Sequence, residues 1–327
     1  MPFLVIKVVG HRHVHYKLYN KGVYMKIIIH KKYLDIVSEK FPDIEFYTEI
    51  DECPEAEALI GEPMDFVPEK LDKMPNIRWL QSFRAGYDTL DLDYMKKRNI
   101  TFCNGKDIYS IPIAEDVVCK ILMHNTNALK FLRSQREHKW EPRQKRTEFH
   151  GQTVGIIGTG SIATEIAKRL QGFGVKIIGY KRTPVSAMAY FDEILSGKKG
   201  LEYLMSNSDY IIVTVDLNKD TYHMINKDTL KFMKESASII NIARGSIINQ
   251  KDLTEALKNK SISYAGLDVF EVEPLPEDDE LWDLENVYIT PHASGIVKEN
   301  KKRLAELIVA NIQRFIEHEK LANVVVK

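Results

Sequence analysis

The sequence predicts an α/β protein built from two doubly wound, parallel-sheet domains, and three observations carry that expectation. From Met25 onward, short apolar runs rich in Ile and Val alternate with segments of helical period. One such run, Thr153-Val154-Gly155-Ile156-Ile157, ends in the turn Gly158-Thr159-Gly160-Ser161-Ile162-Ala163. A segment with Ile162, Ile166, Ala167 and Leu170 on one helical face follows it. Three later runs are each followed closely by a charged or titratable residue, where a doubly wound sheet lines its ligand crevice. A length of 327 residues accommodates about two domains.

Composition narrows the function classes. Hydrophobic residues make up 44% and charged residues 28%, enough apolar material for real cores. Lysine plus arginine equals aspartate plus glutamate at 46 each, so charge gives no reason to expect a nucleic-acid or membrane partner. The three cysteines, Cys53, Cys103 and Cys119, are odd in number and lack zinc-site spacing, which suits a reducing, cytoplasmic setting and no metal. No apolar run approaches the ~18 residues of a membrane span.

Taken in order, residues 1–24 read as a leader. Phe3–Val9 could form a strand, but His11, His13, His15 and Lys17 follow, and Met25 is expected to start the domain. Strands are then expected at Lys26–His30, Ile44–Thr48, Ala58–Ile60, Asn76–Ser82 and Ile100–Cys103, with a turn at Phe83–Asp88 and a helix at Asp91–Arg98. Ile113–Arg136 reads as one long helix, and Lys139–Arg146 as an exposed connector. The second unit has expected strands at Thr153–Ile157, Val175–Gly179, Tyr210–Val215, Ser238–Ile242, Tyr264–Asp268 and Val287–Ile289. Helices fall between these strands, and Lys298–His318 reads as a final helix.

The glycine turn has the strand–turn–helix context of a dinucleotide fingerprint. Gly158 permits the tight turn, Gly160 lets backbone approach a pyrophosphate, and the helix beginning at Ser161 points free N–H groups at that anion. Alanine stands third, at Ala163, where close helix–strand packing is required. Downstream come Asn241-Ile242-Ala243-Arg244-Gly245, then Gly266–Pro274, then Thr290-Pro291-His292, each after a strand. Singly, Arg244 reads as a surface cation, His292 as a turn cap, and Glu271 or Asp278 as an acid equal to Glu273. Jointly and in this order they point to an arginine, a carboxylate and a histidine converging beside a dinucleotide.

Together with Ala85-Gly86-Tyr87-Asp88 and Ala114-Glu115, these stretches resemble the D-isomer-specific 2-hydroxyacid dehydrogenase family from Met25 to the C-terminus. The resemblance implies a hydride transfer between NAD(P)H and a small 2-keto or 2-hydroxy acid. His292 would be the acid/base, Glu273 would hold it in its charged form, and Arg244 would bind the substrate carboxylate and polarise the ketone. Ala85 and Gly86 would offer backbone N–H groups to that carboxylate from the other domain. Asp268 would bond the nicotinamide carboxamide. Thr159, Ser161, Ile162, Val215, Asp216 and Ala243 would complete the cofactor contacts. The implied architecture is a discontinuous substrate domain of residues 25–122 and 297–327, a Rossmann-type domain of residues 123–296, and a cleft between them. A homodimer packed on the Ile113–Arg136 helix is also implied.

Some positions depart from the family pattern: Asp216 stands where proline is usual, and Tyr109–Ile113 is atypical. Glu273 separates the chain from the formate-oxidising branch. After Val175–Gly179 the sequence is Tyr180-Lys181-Arg182-Thr183, with no acid for a ribose 2′-hydroxyl. Lys181, Arg182 and Thr183 could instead take a 2′-phosphate, so NADP is the expected cofactor with NAD the alternative. The competing functional class is an NAD(H)-sensing, corepressor-like binding protein on the same fold.

Overall fold

The computed structural model describes residues 25–327, so the expected leader and its strand at Phe3–Val9 lie outside the described residues. In chain order the strands are β1 (Lys26–Ile29), β2 (Glu45–Tyr47), β3 (Ala58–Gly61), β4 (Trp79–Ser82), β5 (Thr101–Cys103), β6 (Thr153–Ile157) and β7 (Lys176–Tyr180). They continue with β8 (Glu193–Leu195), β9 (Tyr210–Val213), β10 (Ser238–Asn241), β11 (Tyr264–Leu267), β12 (Val287–Ile289) and β13 (Val324–Val326). They form two sheets, ordered β13-β5-β4-β3-β1-β2 and β12-β11-β10-β9-β6-β7-β8.

Every pairing in the seven-stranded sheet is parallel. The chain starts at β6, winds outward to β7 and β8, then returns to β9 on the other side. The switch in winding direction therefore falls between β6 and β9, where ligands bind in such sheets. Side chains alternate across this sheet with the two-residue period of a strand. Ile211 and Val213 join Ile239, Ala265 and Leu267 in one buried cluster. Tyr210 and Ile212 point the other way, into a second cluster with Val154, Ile156 and Ile240. Burial on both faces explains why these strands read as continuous apolar runs. Each fully buried Ile or Val contributes ~1.5–3 kcal/mol.

The six-stranded sheet is parallel except at β13, which pairs antiparallel with β5. Its strands β2-β1-β3-β4-β5 follow the flavodoxin-like order. Ile27, Ile29, Ile60, Trp79, Leu80 and Phe102 are fully buried in it. The sequence reading missed β8 and β13, which are three residues each and take their structure from their neighbours.

Two boundaries differ from expectation. The long helix is two: Ser110–Asn125 and Ala128–Arg136, separated at Thr126-Asn127, where Asn127 has φ 55°. A left-handed residue cannot continue an α-helix, and asparagine tolerates that conformation. The compact units also divide elsewhere. One comprises residues up to Phe83 with Leu90–Asn104 and Ala305–Lys327, and the other Arg84–Thr89 with Gly105–Leu304. These units change at 104 and 304, where the expected domains change at 122 and 297. The physical reason is the helix Ser110–Asn125, whose Ile113, Ala114, Val117 and Ile121 are buried against Ala163, Ile166 and Ala167 of the helix Ser161–Leu170.

Candidate active site

The glycine turn closes β6 at the switch between β6 and β9. Gly158 has φ +104°, and a Cβ there would stand 2.5 Å from Thr214 Oγ1. Thr214 in turn donates from N and Oγ1 to the Ile157 carbonyl, at 2.8 and 2.9 Å, which locks the end of β9 to the end of β6. Gly160 is exposed and caps the helix Ser161–Leu170 without a side chain; a Cβ there would meet nothing within 4 Å. Ala163 is fully buried, as its packing role requires. An uncapped helix start with an open approach over Gly160 fits a dinucleotide pyrophosphate. Ser161 Oγ lies 3.3 Å from Ser110 Oγ, Ile162 packs on the core, and Thr159 is partly exposed beside them.

Around this turn lie the other residues expected to hold the cofactor. Lys181 directly follows β7 and donates its N–H to Leu195 O at 2.9 Å. Arg182 and Thr183 are exposed; the Arg182 side chain is 85% accessible and reaches Asp220 only at 3.9 Å. Val215 packs against the core, and Asp216 is exposed, its carbonyl accepting from Thr221 Oγ1 at 2.6 Å. Burial pushes the Tyr87 phenol above its ordinary range, and the Asp216 and Asp88 carboxylates beside it add to that.

Arg244 is positioned by three contacts. Its Nε donates to Asp88 Oδ2 at 2.8 Å, and its Nη1 to the Ala243 carbonyl at 2.7 Å. Its guanidinium lies where a Cβ on Gly86 would overlap it, so only glycine admits this approach. Asn241 Nδ2 holds the Arg244 carbonyl at 3.0 Å, and Asn241 Oδ1 accepts from Ala243 N at 3.1 Å. Residues Arg84–Thr89, including Ala85 and Gly86, belong to the same compact unit as Arg244, not to the other one as expected.

Glu273 and His292 meet. Glu273 Oε1 accepts from Phe270 N at 3.0 Å, and Oε2 lies 2.7 Å from His292 Nδ1. With Nδ1 bonded to the carboxylate, Nε2 is the nitrogen left for chemistry. Of the other candidate acids, Glu271 pairs with His223 Nε2 at 2.7 Å and accepts from Gln250 N, and Asp278 is exposed. His292 itself has φ 50°, fixed by its N–H bonding to the Asp268 carbonyl at 2.8 Å and the Thr290 carbonyl at 3.0 Å. Non-glycine residues adopt this backbone region rarely, and at functional sites it marks over-determined geometry.

Asp268 is 1% exposed and its oxygens are engaged. Oδ1 accepts from Thr290 Oγ1 at 2.5 Å, Ala293 N at 2.9 Å and Ser294 N at 3.1 Å, and Oδ2 from Ser294 Oγ at 2.6 Å. Sequence reasoning missed this clamp and the Asp88 contact. Thr290 and Ser294 flank the quoted histidine, but nothing in the sequence tells which carboxylate they serve. Among the described residues no group of three or more His, Cys, Asp or Glu side chains could hold a metal, and no helix is long and apolar enough to cross a membrane.

Comparison with known proteins gives a consistent picture. Residues 118–294 match the family model described as D-isomer specific 2-hydroxyacid dehydrogenase, NAD binding domain. A glyoxylate reductase of Pyrococcus furiosus is 33% identical over 300 residues, covering 86% of this chain and 88% of the relative. A D-isomer specific 2-hydroxyacid dehydrogenase family protein from Aeromonas salmonicida superposes with TM-score 0.82 at 27% identity, over 93% of this chain and 99% of that one. A D-isomer specific 2-hydroxyacid dehydrogenase from Xanthobacter autotrophicus, solved with NADPH and MES, gives TM-score 0.80 at 25% identity, over 93% and 98%.

Proposed function

Since the chain belongs to the D-isomer-specific 2-hydroxyacid dehydrogenase family, we propose that it reduces a small 2-keto acid with NADPH in preference to NADH, using Arg244, Glu273 and His292. The enzyme class is an NAD(P)-dependent 2-hydroxyacid dehydrogenase. The observation that carries it is the Glu273–His292 pair, with Nδ1 held at 2.7 Å and Nε2 left to give or take a proton.

In reduction His292 donates a proton to the oxygen formed at C2 of the substrate, and in oxidation it removes that proton. Glu273 fixes the ring and stabilises the charged imidazole during the transfer. Arg244, held by Asp88, binds the substrate carboxylate and polarises the ketone. A planar fork suits both tasks better than an ammonium. Gly86 lies beside the guanidinium on the same segment as Ala85 and Asp88, which suits backbone contacts to that carboxylate. The bound nicotinamide supplies the hydride chemistry, and the chain supplies position and charge. Gly158, Gly160 and the start of the helix Ser161–Leu170 hold the pyrophosphate. Any bond from Asp268 to the carboxamide must share oxygens that already hold Ala293 and Ser294.

The NADPH preference rests on the exposed Arg182 and Thr183, with Lys181 beside them, after a β7 end that lacks an acid. The Xanthobacter structure with NADPH is in keeping with it. Three free cysteines suit a cytoplasmic setting. A homodimer is the assembly we favour. The Ser110–Asn125 stripe is used within the chain, so the surface offered to a second copy is the helix Ala128–Arg136 with Leu132 and the exposed Trp140. The relatives are enzymes by name, and a cofactor-sensing binding role gains no support from them.

The test is kcat/KM for glyoxylate, hydroxypyruvate, pyruvate and branched 2-keto acids with each cofactor. Turnover with NADPH on at least one, glyoxylate first, is expected. No turnover on any would remove the enzymatic reading, and a clear NADH preference would remove the NADP assignment alone.

A further inference from the structure

Lys120 is fully buried in the helix Ser110–Asn125, an uncommon place for an ammonium. Its Nζ is paired with Asp116, one turn earlier, and donates to Thr290 Oγ1 at 2.9 Å. The Thr290 hydroxyl in turn donates a hydrogen bond to Asp268 Oδ1 at 2.5 Å. The Tyr288 ring lies 5.4 Å from the ammonium, and the lysine stem runs over Gly266, where a Cβ would stand 3.1 Å from Lys120 Cδ. The bare position in β11 therefore makes room for the stem. One buried cation thus serves two carboxylates, Asp116 directly and Asp268 through a hydroxyl. Asp268 then holds Ala293, Ser294 and, by its carbonyl, the N–H of His292.

We propose that Lys120 is a positioning residue for the acid/base: through Thr290 and Asp268 it fixes the left-handed backbone at His292 and thereby the direction of the imidazole. The inference rests on the reading of His292 as the acid/base. Burying an ion pair seldom adds stability over apolar side chains of the same volume. A lysine aimed at Thr290 is then explained by orientation. Thr290 carries both bonds of the link from Lys120 to Asp268, accepting from one partner and donating to the other.

Three variants and one reference test the proposal. Thr290→Val removes the hydroxyl at constant shape, Thr290→Ser keeps it, and Lys120→Met with Asp116→Asn removes both charges together. His292→Ala is the reference for loss of the acid/base. We expect Thr290→Val and the double variant to lose about 10- to 100-fold in kcat, with keto-acid KM and NADPH Kd within threefold of wild type. Thr290→Ser should recover most of the loss. Amide hydrogen exchange at Ala293 and Ser294, read without cofactor, should quicken in Thr290→Val and not in Thr290→Ser. If His292→Ala is inactive while Thr290→Val and the double variant both turn over within twofold of wild type, the positioning role is overturned and the acid/base reading stands. If His292→Ala itself turns over normally, both fall. Should the double variant not fold, Thr290→Val, which keeps the Lys120–Asp116 pair, decides the matter.

Discussion

Arg244 shows how a single side chain is held by its surroundings. Asp88 takes Nε and the Ala243 carbonyl takes Nη1, so the guanidinium plane is set before any substrate arrives. Gly86 clears the space on which it lies. Lysine cannot reproduce two bonds and a free edge, so Arg244→Lys should lower keto-acid kcat/KM by about 100-fold or more. Asp88→Asn keeps the shape but weakens the charge-assisted bond. It should raise keto-acid KM by about tenfold and leave NADPH Kd within twofold. Steady-state kinetics with parallel cofactor titration checks both, and an unchanged KM in Asp88→Asn would show that Arg244 orients itself. The meeting of Glu273 and His292 was legible in the sequence because each follows a strand, and strand ends in a wound sheet converge. Asp88 was quoted within a turn, but its partner stands 156 positions away, a pairing that only the fold brings about. Lys120 read as one more residue of an apolar helix for the same reason.

Among the elements, the glycine turn and the broken helix carry the clearest lessons. Gly158 and Gly160 look equivalent in the sequence but are not. At Gly158 both the positive φ and Thr214 oppose a side chain, whereas at Gly160 a Cβ meets open space. Gly158→Ala should therefore destabilise the fold by at least about 1 kcal/mol. Gly160→Ala should leave the melting temperature within a degree or two and act instead on cofactor affinity. Thermal unfolding and NADPH titration of the two variants separate these effects. Equal losses of melting temperature in both would contradict the distinction. The break at Asn127 was not legible because Thr126 and Asn127 interrupt no hydrophobic period. The turn depends on one left-handed residue, whereas β6 was readable to the residue because four β-branched positions, with Gly155 among them, run up to Gly158.

At the scale of the molecule, the exposed Leu132 and the 92%-exposed Trp140 are the basis for expecting self-association. Light scattering should give twice the chain mass of 37.7 kDa. Trp140→Ser with Leu132→Lys should shift the protein toward the single-chain mass, and a wild-type monomer at micromolar concentration would refute the assembly. The two-sheet plan was legible from alternation alone, but the division between units was not. Which unit a helix joins depends on the partner its apolar face finds, and the helix Ser110–Asn125 finds the helix Ser161–Leu170.

The interrupted unit also bears on how the chain is made. Its β5 edge is covered by β13, which lies more than 200 residues later in the sequence. During synthesis the second unit emerges whole before β13 does, while the first waits with an unpaired strand edge until Val324–Val326 have been made. Such an edge is a template for pairing with other nascent chains. Val324–Val326 thus act as a seal on β5, and the long stretch of chain that must be made before they arrive lets translation speed and chaperone supply act on yield.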